Sequence, residues 1–283
     1  MEVPMRIVEN LMTFLENNLF LKNGTCPICG KVLFVTDSFL CRSCWEELPE
    51  ISSPSCERCG RPIFTTDRKH CHSCAKLQLP FTGGYAYLRY DDSARDLVAA
   101  IKFHDRPHLG IWIGTRMGAA IAQLTWAADI DLIIPVPLHP NRLKERGYNQ
   151  SEKIAQGIQA GLIKAVEQAT QQAAPSDVAR FGPVNSTACD KRPVPTALAA
   201  TLGPQHLIRS RDTPHQLGQG REKRLRNLTG AFSAERVEAL QGKTILLVDD
   251  VLTTGATLAE ASATLLEAGA KQVYIATVCA VAE

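Results

Sequence analysis

The sequence predicts an α/β protein: a parallel sheet with helices on both faces, preceded by a small domain organised around two zinc–thiolate ribbons. Three observations carry this. From about Phe81 onward, strand-like apolar runs alternate with segments of helical period. Eight cysteines form four CxxC pairs beginning at Cys26, Cys41, Cys56 and Cys71, each fifteen residues after the last. The run ILLVDDVLTTGAT, residues 245–257, leads an apolar strand through two adjacent acids into a threonine–glycine turn.

The chain divides at composition changes into residues 1–24, 25–80 and 81–283. In the first part Val8, Leu11, Met12, Leu15 and Leu19 share one helical stripe, which predicts an amphipathic helix packed on its own protein. Glu9 and Glu16 interrupt it and no basic segment precedes it, so it is expected to be neither an export signal nor a membrane span.

Residues 25–80 hold the cysteine pairs. Two thiolates separated by two residues grip a metal ion from one tight turn, and two such turns complete a tetrahedral zinc shell. Cys26, Cys29, Cys41 and Cys44 would hold one ion, and Cys56, Cys59, Cys71 and Cys74 the other. An interleaved pairing is the alternative; the sequential one closes shorter loops and is favoured for that reason. Gly30 and Gly60 follow the first and third pairs, where the knuckle needs a residue free of Cβ strain. Between Cys26 and Cys74, six Lys/Arg balance six Asp/Glu, and eight thiolates (−8) against two divalent ions (+4) leave about −4. That sign disfavours a phosphate backbone as the ribbons' main partner. A net charge of +2 over 283 residues gives no global sign of a nucleic-acid or membrane-surface binder either.

In the third part GYAYLRY reads as a strand, and DDSARDLVAAIKF as a helix through Leu97, Val98 and Ile101. PHLGIWIGTRMGAAIAQL is a second helix, with Pro107 in its first turn. DLIIPVP is a buried strand and GYNQSEKIAQGIQAGL a helix. TILLVDD, TGATLAEASATLLEAG and VYIATVCAV then complete a strand, helix and strand. Residues 166–205 are rich in Ala, Pro, Gln, Ser and Thr without sustained period, and are expected to be a disordered insertion.

In such sheets ligands bind beyond the carboxyl ends of the strands, where both chemically unusual stretches fall. In the second of them the strand is expected to stop near Val248 and the next helix to start near Gly255. Backbone N–H groups of the intervening turn, the helix N-terminus and the hydroxyls of Thr253, Thr254 and Thr257 form a cradle for a phosphate monoester. Asp249 and Asp250, one sugar ring away, accept hydrogen bonds from vicinal hydroxyls. The stretch reads as a site for ribose 5-phosphate. After the strand DLIIPVP, Arg142, Lys144 and Arg146 supply cations for oxyanions. Arg209, Arg211, Arg221, Lys223, Arg224 and Arg226, against Asp212 and Glu222, form a basic hood segment. Lys102, in AIKFHDR, is a candidate for steadying a leaving group.

ILLVDDVLTTGAT closely resembles the signature of type I phosphoribosyltransferases. Together with the CxxC array, IKFHDR, PVPLHPNRLKERGYNQSEKIA and RDTPHQLGQGREKRLRNLTGAF, it resembles the ComF (competence protein F) family. The resemblance implies a type I phosphoribosyltransferase-like sheet, 5-phosphoribosyl 1-pyrophosphate (PRPP) as ligand and Mg²⁺ with it. It implies that Val251, Thr253, Thr254, Gly255, Ala256 and Thr257 bind the 5-phosphate end and that Asp249 and Asp250 hold the ribose hydroxyls. The loop Pro137, Leu138, His139, with Arg142, corresponds to the pyrophosphate side, and Arg146 and Lys102 join the acids as catalytic candidates. It further implies a cytoplasmic protein working with single-stranded DNA and a DNA-uptake helicase. Phosphoribosyl transfer is the expected activity. A non-catalytic PRPP-binding regulator and a zinc-ribbon partner of the helicase are the alternatives.

Overall fold

The frame is a five-stranded, wholly parallel sheet in the order β1-β7-β6-β2-β3. The computed structural model describes residues 24–282 apart from 34–37, 53, 66, 78, 104–105, 174–199 and 212–228. In chain order the elements are α1 (Arg42–Glu46), α2 (His72–Lys76), β1 (Gly83–Arg89), α3 (Asp92–Phe103), α4 (Pro107–Ile121) and β2 (Leu132–Pro135). Then come α5 (Pro140–Arg146), α6 (Gln150–Ala173), β3 (Thr201–Leu202), β4 (Leu207–Arg209) and β5 (Phe232–Ala234). The chain closes with β6 (Thr244–Leu252), α7 (Ala256–Glu267) and β7 (Gln272–Ala280).

The central strands are apolar on both sides because both faces are covered. Along β6, Leu246 and Val248 join the core under α3, α4 and α6, while Ile245 and Leu247 join the core under α7. This alternation is the two-residue period of a strand. On the first face α4 and α6 approach until their backbones touch. A Cβ added at Gly114 would lie 2.2 Å from the Ile154 carbonyl oxygen, and one at Gly157 2.1 Å from that of Ile111.

The two ribbons straddle the edge of the sheet. Cys26, Leu33, Leu40 and Leu48 of the first belong to the core of the α4 face; Cys56, Cys59, Ile63, Cys71 and Cys74 of the second belong to the core of the α7 face. The chain between them runs antiparallel along β1: Ile51 N–H donates to the Tyr87 carbonyl at 2.9 Å, and Arg89 N–H to that of Pro49 at 2.8 Å. A strand edge that would otherwise expose unpaired backbone is thereby closed.

Two expectations change. First, β6 does not stop at Val248. It continues to Leu252, held by pairing of Asp249 with Thr277 and Val251 with Cys279 on β7, so the twin acids lie inside the strand. Second, residues 166–173 are helical rather than part of an insertion. Ala and Gln propagate an existing helix well, and no Gly or Pro interrupts the chain between Gly161 and Pro175. At the other end of the segment, Thr201–Leu202 pair with β2. Residues 174–199, the helix expected before residue 25, and Arg221, Lys223, Arg224 and Arg226 of the hood lie outside the described residues. Among the described residues, no helix is long and apolar enough to cross a membrane.

Gly114→Ala, or Gly157→Ala, should destabilise the protein by about 3 kcal/mol, the upper end for overpacking, because the added methyl meets backbone rather than a movable side chain. Denaturant unfolding of each single variant measures this.

Candidate ligand and metal sites

The chain order places a topological switch between β2 and β6. From β2 the chain moves outward to β3, whereas from β6 it moves the other way to β7. The loops leaving these two strands therefore diverge, and a crevice opens at their carboxyl ends. Pro135 and Val248 are register partners, so the loop 136–139 leaves the sheet beside Asp249 and Asp250, while β6 runs on to Leu252 before the turn 253–255.

The turn after β6 is built as its residues require. Gly255 caps α7 at φ 80°, a left-handed conformation that costs a Cβ-bearing residue strain. Ala259 N–H returns to the Gly255 carbonyl at 2.8 Å, and Thr254 Oγ1 accepts from Ala256 N–H at 3.4 Å. Thr257 and Leu258, in the first turn of α7, have amides with no intrahelical carbonyl within reach. Thr253 is exposed and Thr254 and Thr257 partly so, while Ala256 is buried beneath them.

The acids are held by Lys102, already a candidate, and by two neighbours the sequence had not marked, Gln150 and Ser151. Lys102 Nζ lies 3.0 Å from Asp250 Oδ1, and Gln150 Nε2 donates to Asp250 Oδ2 at 2.7 Å. Arg146 donates through Nη1 to Gln150 Oε1 and stands 5.2 Å over the Phe103 ring. Ser151 Oγ donates to Asp249 Oδ1 at 3.0 Å, and Asp250 N–H donates to the same oxygen at 2.9 Å. Lys102, Arg146, Asp249 and Asp250 are thus brought together, with Gln150 and Ser151 as the joints. Asn149 serves the second loop: its Nδ2 donates to the Val136 carbonyl at 3.1 Å, and its Oδ1 accepts from Ser151 N–H at the start of α6. In the sequence these three residues stood only within the stretch PVPLHPNRLKERGYNQSEKIA that carries the family resemblance, with no role assigned, because which partner each side chain meets depends on α6 crossing β6.

Pro137, Leu138 and His139 are partly buried in the β2 loop. His139 caps α5, its Nδ1 accepting from Asn141 N–H at 3.4 Å, and Arg142 sits one turn before Arg146. On either side of the undescribed residues 212–228, β4 and β5 pair antiparallel, and Gly230 N–H donates to Glu260 Oε1 of α7 at 2.6 Å.

Electrostatics follow burial. Desolvation, with the charge of Asp250 adding to it, raises the Asp249 carboxyl to about 7. Burial pulls Lys102 down, but the Asp250 carboxylate outweighs it and holds the ammonium above its usual value. Burial lowers Arg146.

Each cysteine quartet gathers as the sequential pairing predicts. The four sulfurs of Cys26, Cys29, Cys41 and Cys44 lie within 4.8 Å of one another, as do those of Cys56, Cys59, Cys71 and Cys74. The Sγ–Sγ distances between Cys29 and Cys41 and between Cys59 and Cys71 are 3.5 and 3.7 Å. A tetrahedral zinc with Zn–S bonds of about 2.3 Å separates its sulfurs by about 3.8 Å, whereas a disulfide needs about 2.05 Å. The quartets fit zinc, and all eight thiols are free.

Fold and sites define the class: a double zinc ribbon joined to a phosphoribosyltransferase-type α/β domain. Residues 19–75 match the double zinc ribbon domain family and residues 207–283 the phosphoribosyl transferase domain family. Over 149 residues the chain is 30% identical to "DNA utilization protein YhgH" from Escherichia coli O157:H7, covering 53% of this chain and 49% of that protein. The YhgH proteins of Shigella flexneri and Salmonella typhi match at the same identity, 30%, and over the same shares. The alignment spans about half the length of these curated relatives. The domain pair and this identity support a ComF-like protein.

Two outcomes are expected. Metal analysis should find two zinc ions per chain, and stripping them with a strong chelator should unfold the ribbons, seen as loss of near-UV signal from Trp45. The second concerns Asp249. Because folding raises its carboxyl towards 7, the folded ligand-free protein is penalised once the group ionises, and stability falls as pH rises from the unfolded carboxylate value through 7. Asp249→Asn removes that penalty. The variant should melt roughly 5 °C above wild type at pH 8, with the gap narrowing at pH 6 and level above pH 8 in scanning calorimetry.

Proposed function

We propose that the crevice between the β2 and β6 loops binds PRPP with Mg²⁺ and that the chain is a ComF-type phosphoribosyltransferase serving DNA uptake or use. The observation that carries this reading is the acid pair of β6, held by Lys102, Gln150 and Ser151 at the switch point, beside the exit of the β2 loop that leads to Arg142 and Arg146. Thr253–Thr257 and the N-terminus of α7 would take the 5-phosphate. Asp249 and Asp250 would accept from the ribose hydroxyls; a carboxylate has about four lone-pair sites, so Asp250 can keep Lys102 and Gln150 while doing so.

The loop Pro137–His139, with Arg142 and Arg146, would face the pyrophosphate. Lys102 and Arg146 then supply positive charge where negative charge grows as the C1–oxygen bond breaks. Mg²⁺, when bound with the ligand, supplies further neutralisation, and an acid pair in a partly desolvated crevice is chemically suited to lie beside it. The name of the YhgH relatives supports a role in DNA utilisation; single-stranded DNA and a DNA-uptake helicase as partners rest on the ComF resemblance alone. Eight cysteines spent on metal-ligating quartets, a use suited to a reducing compartment, support the cytoplasm as its location.

Calorimetry of zinc-loaded protein with PRPP and Mg²⁺ tests the reading. Binding is expected, and Asp250→Asn should weaken it about 10–100-fold, the worth of hydrogen bonds to a charged acceptor. Heat signals equal for wild type and Asp250→Asn would refute the site. Pyrophosphate release in an acceptor screen decides between transfer and simple binding.

A further inference from the structure

Arg61 belongs to the second zinc knuckle yet ends at the candidate phosphate turn. Its carbonyl accepts from Cys56 N–H at 2.7 Å, and Gly60 N–H donates to the Cys56 carbonyl at 2.8 Å, the pair of bonds that closes the knuckle around its metal. Its side chain is 3% exposed, and its guanidinium donates through Nη2 to the Thr253 carbonyl. The knuckle itself cannot shift freely. A Cβ at Gly60 would stand 2.3 Å from the Ala86 amide nitrogen, so the ribbon backbone is in contact with β1. Cys56, Cys59, Cys71 and Cys74 also share a core with Leu252 and Leu258, which flank the turn on either side.

From this geometry we infer that Arg61 is a positioning residue for the anion turn, and that the second four-cysteine zinc site thereby sets the affinity for the sugar phosphate. A trans peptide is planar, with its C=O and N–H pointing in opposite directions. Gripping the Thr253 oxygen from the ribbon side therefore fixes the Thr254 N–H facing away from the ribbon. A turn held in that orientation before the ligand arrives binds without the cost of ordering it. The guanidinium also places a fixed positive charge beneath a turn meant for a phosphate. Metal ligation orders the knuckle, the knuckle orders Arg61, and Arg61 orders the turn. The inference rests on the ribose 5-phosphate reading of that turn.

The test uses the full-length, zinc-loaded chain with Arg61→Met, which keeps length and removes the donors, and Arg61→Lys, which keeps charge and a donor. Ribose 5-phosphate and magnesium pyrophosphate are the probes in calorimetry, alongside zinc content and hydrogen exchange of the 252–258 segment. Expected are two zinc ions in both variants, 10–100-fold weaker ribose 5-phosphate binding in Arg61→Met with pyrophosphate binding within twofold of wild type, and at least partial recovery in Arg61→Lys. Exchange in 252–258 should quicken in Arg61→Met while β6 and β7 stay protected. Ribose 5-phosphate binding within twofold of wild type in Arg61→Met would overturn the inference while leaving the site intact. So would equal loss of both probes, or loss of the second zinc in both variants, since each would mark general damage. Failure of wild type to bind ribose 5-phosphate would overturn the reading of the turn and this inference with it.

Discussion

Two carboxylates on consecutive residues near the end of a buried parallel strand are the constraint around which this protein is arranged. In water such neighbours repel weakly; in a crevice between strands and helices the repulsion and the lost hydration are both larger. The chain answers with an ammonium, an amide and a hydroxyl. Lys102 from α3 and Gln150 from α6 meet Asp250, and Ser151 from α6 meets Asp249. The compensation is partial, since Asp249 still rises to about 7. A strand end kept in this state favours hydroxyl donors or a cation, and the proposed ligand would bring both.

That arrangement demands that α3 and α6 keep their places over β6. The glycine contacts between α4 and α6 bring the helices close enough for Gln150 and Ser151 to reach the acids, while Tyr148 OH donates to the Ile101 carbonyl and ties the start of α6 to the helix carrying Lys102. The two ribbons secure the other edge. They are too small to bury cores of their own, so each borrows one face of the sheet and draws the remainder of its order from metal. Arg106 joins the first ribbon to the α4 face through Thr25, as Arg61 joins the second to the turn.

The cysteine quartets and the long strands and helices of the sheet were legible in the sequence, because each rests on local spacing; the short β3, β4 and β5 were not. A CxxC knuckle closes within a few residues, and an apolar period shows within a dozen. The sequential zinc pairing was legible on the same ground. Of the two elements that outran their expected ends, one was extended by a distant partner and the other by its own local sequence. β6 runs on through both acids because β7 offers Thr277 and Cys279 to pair with, and α6 outlasts its apolar stripe because nothing breaks it before Pro175.

What only the tertiary structure decided are the long-range meetings. Lys102 and Asp250 are far apart in sequence, Gln150 and Asp250 are separated by 100 residues, and Arg61 and Thr253 by 192. No period or motif encodes such a pair, because it exists only once the strand order has placed β6 between β2 and β7. The sequence by itself determined which groups could bind metal and which strand, turn and helix carry the proposed phosphate site. The packing of helices and ribbons on the sheet determined which of them stand together, since a side chain's partner is set by the path of the backbone that carries it.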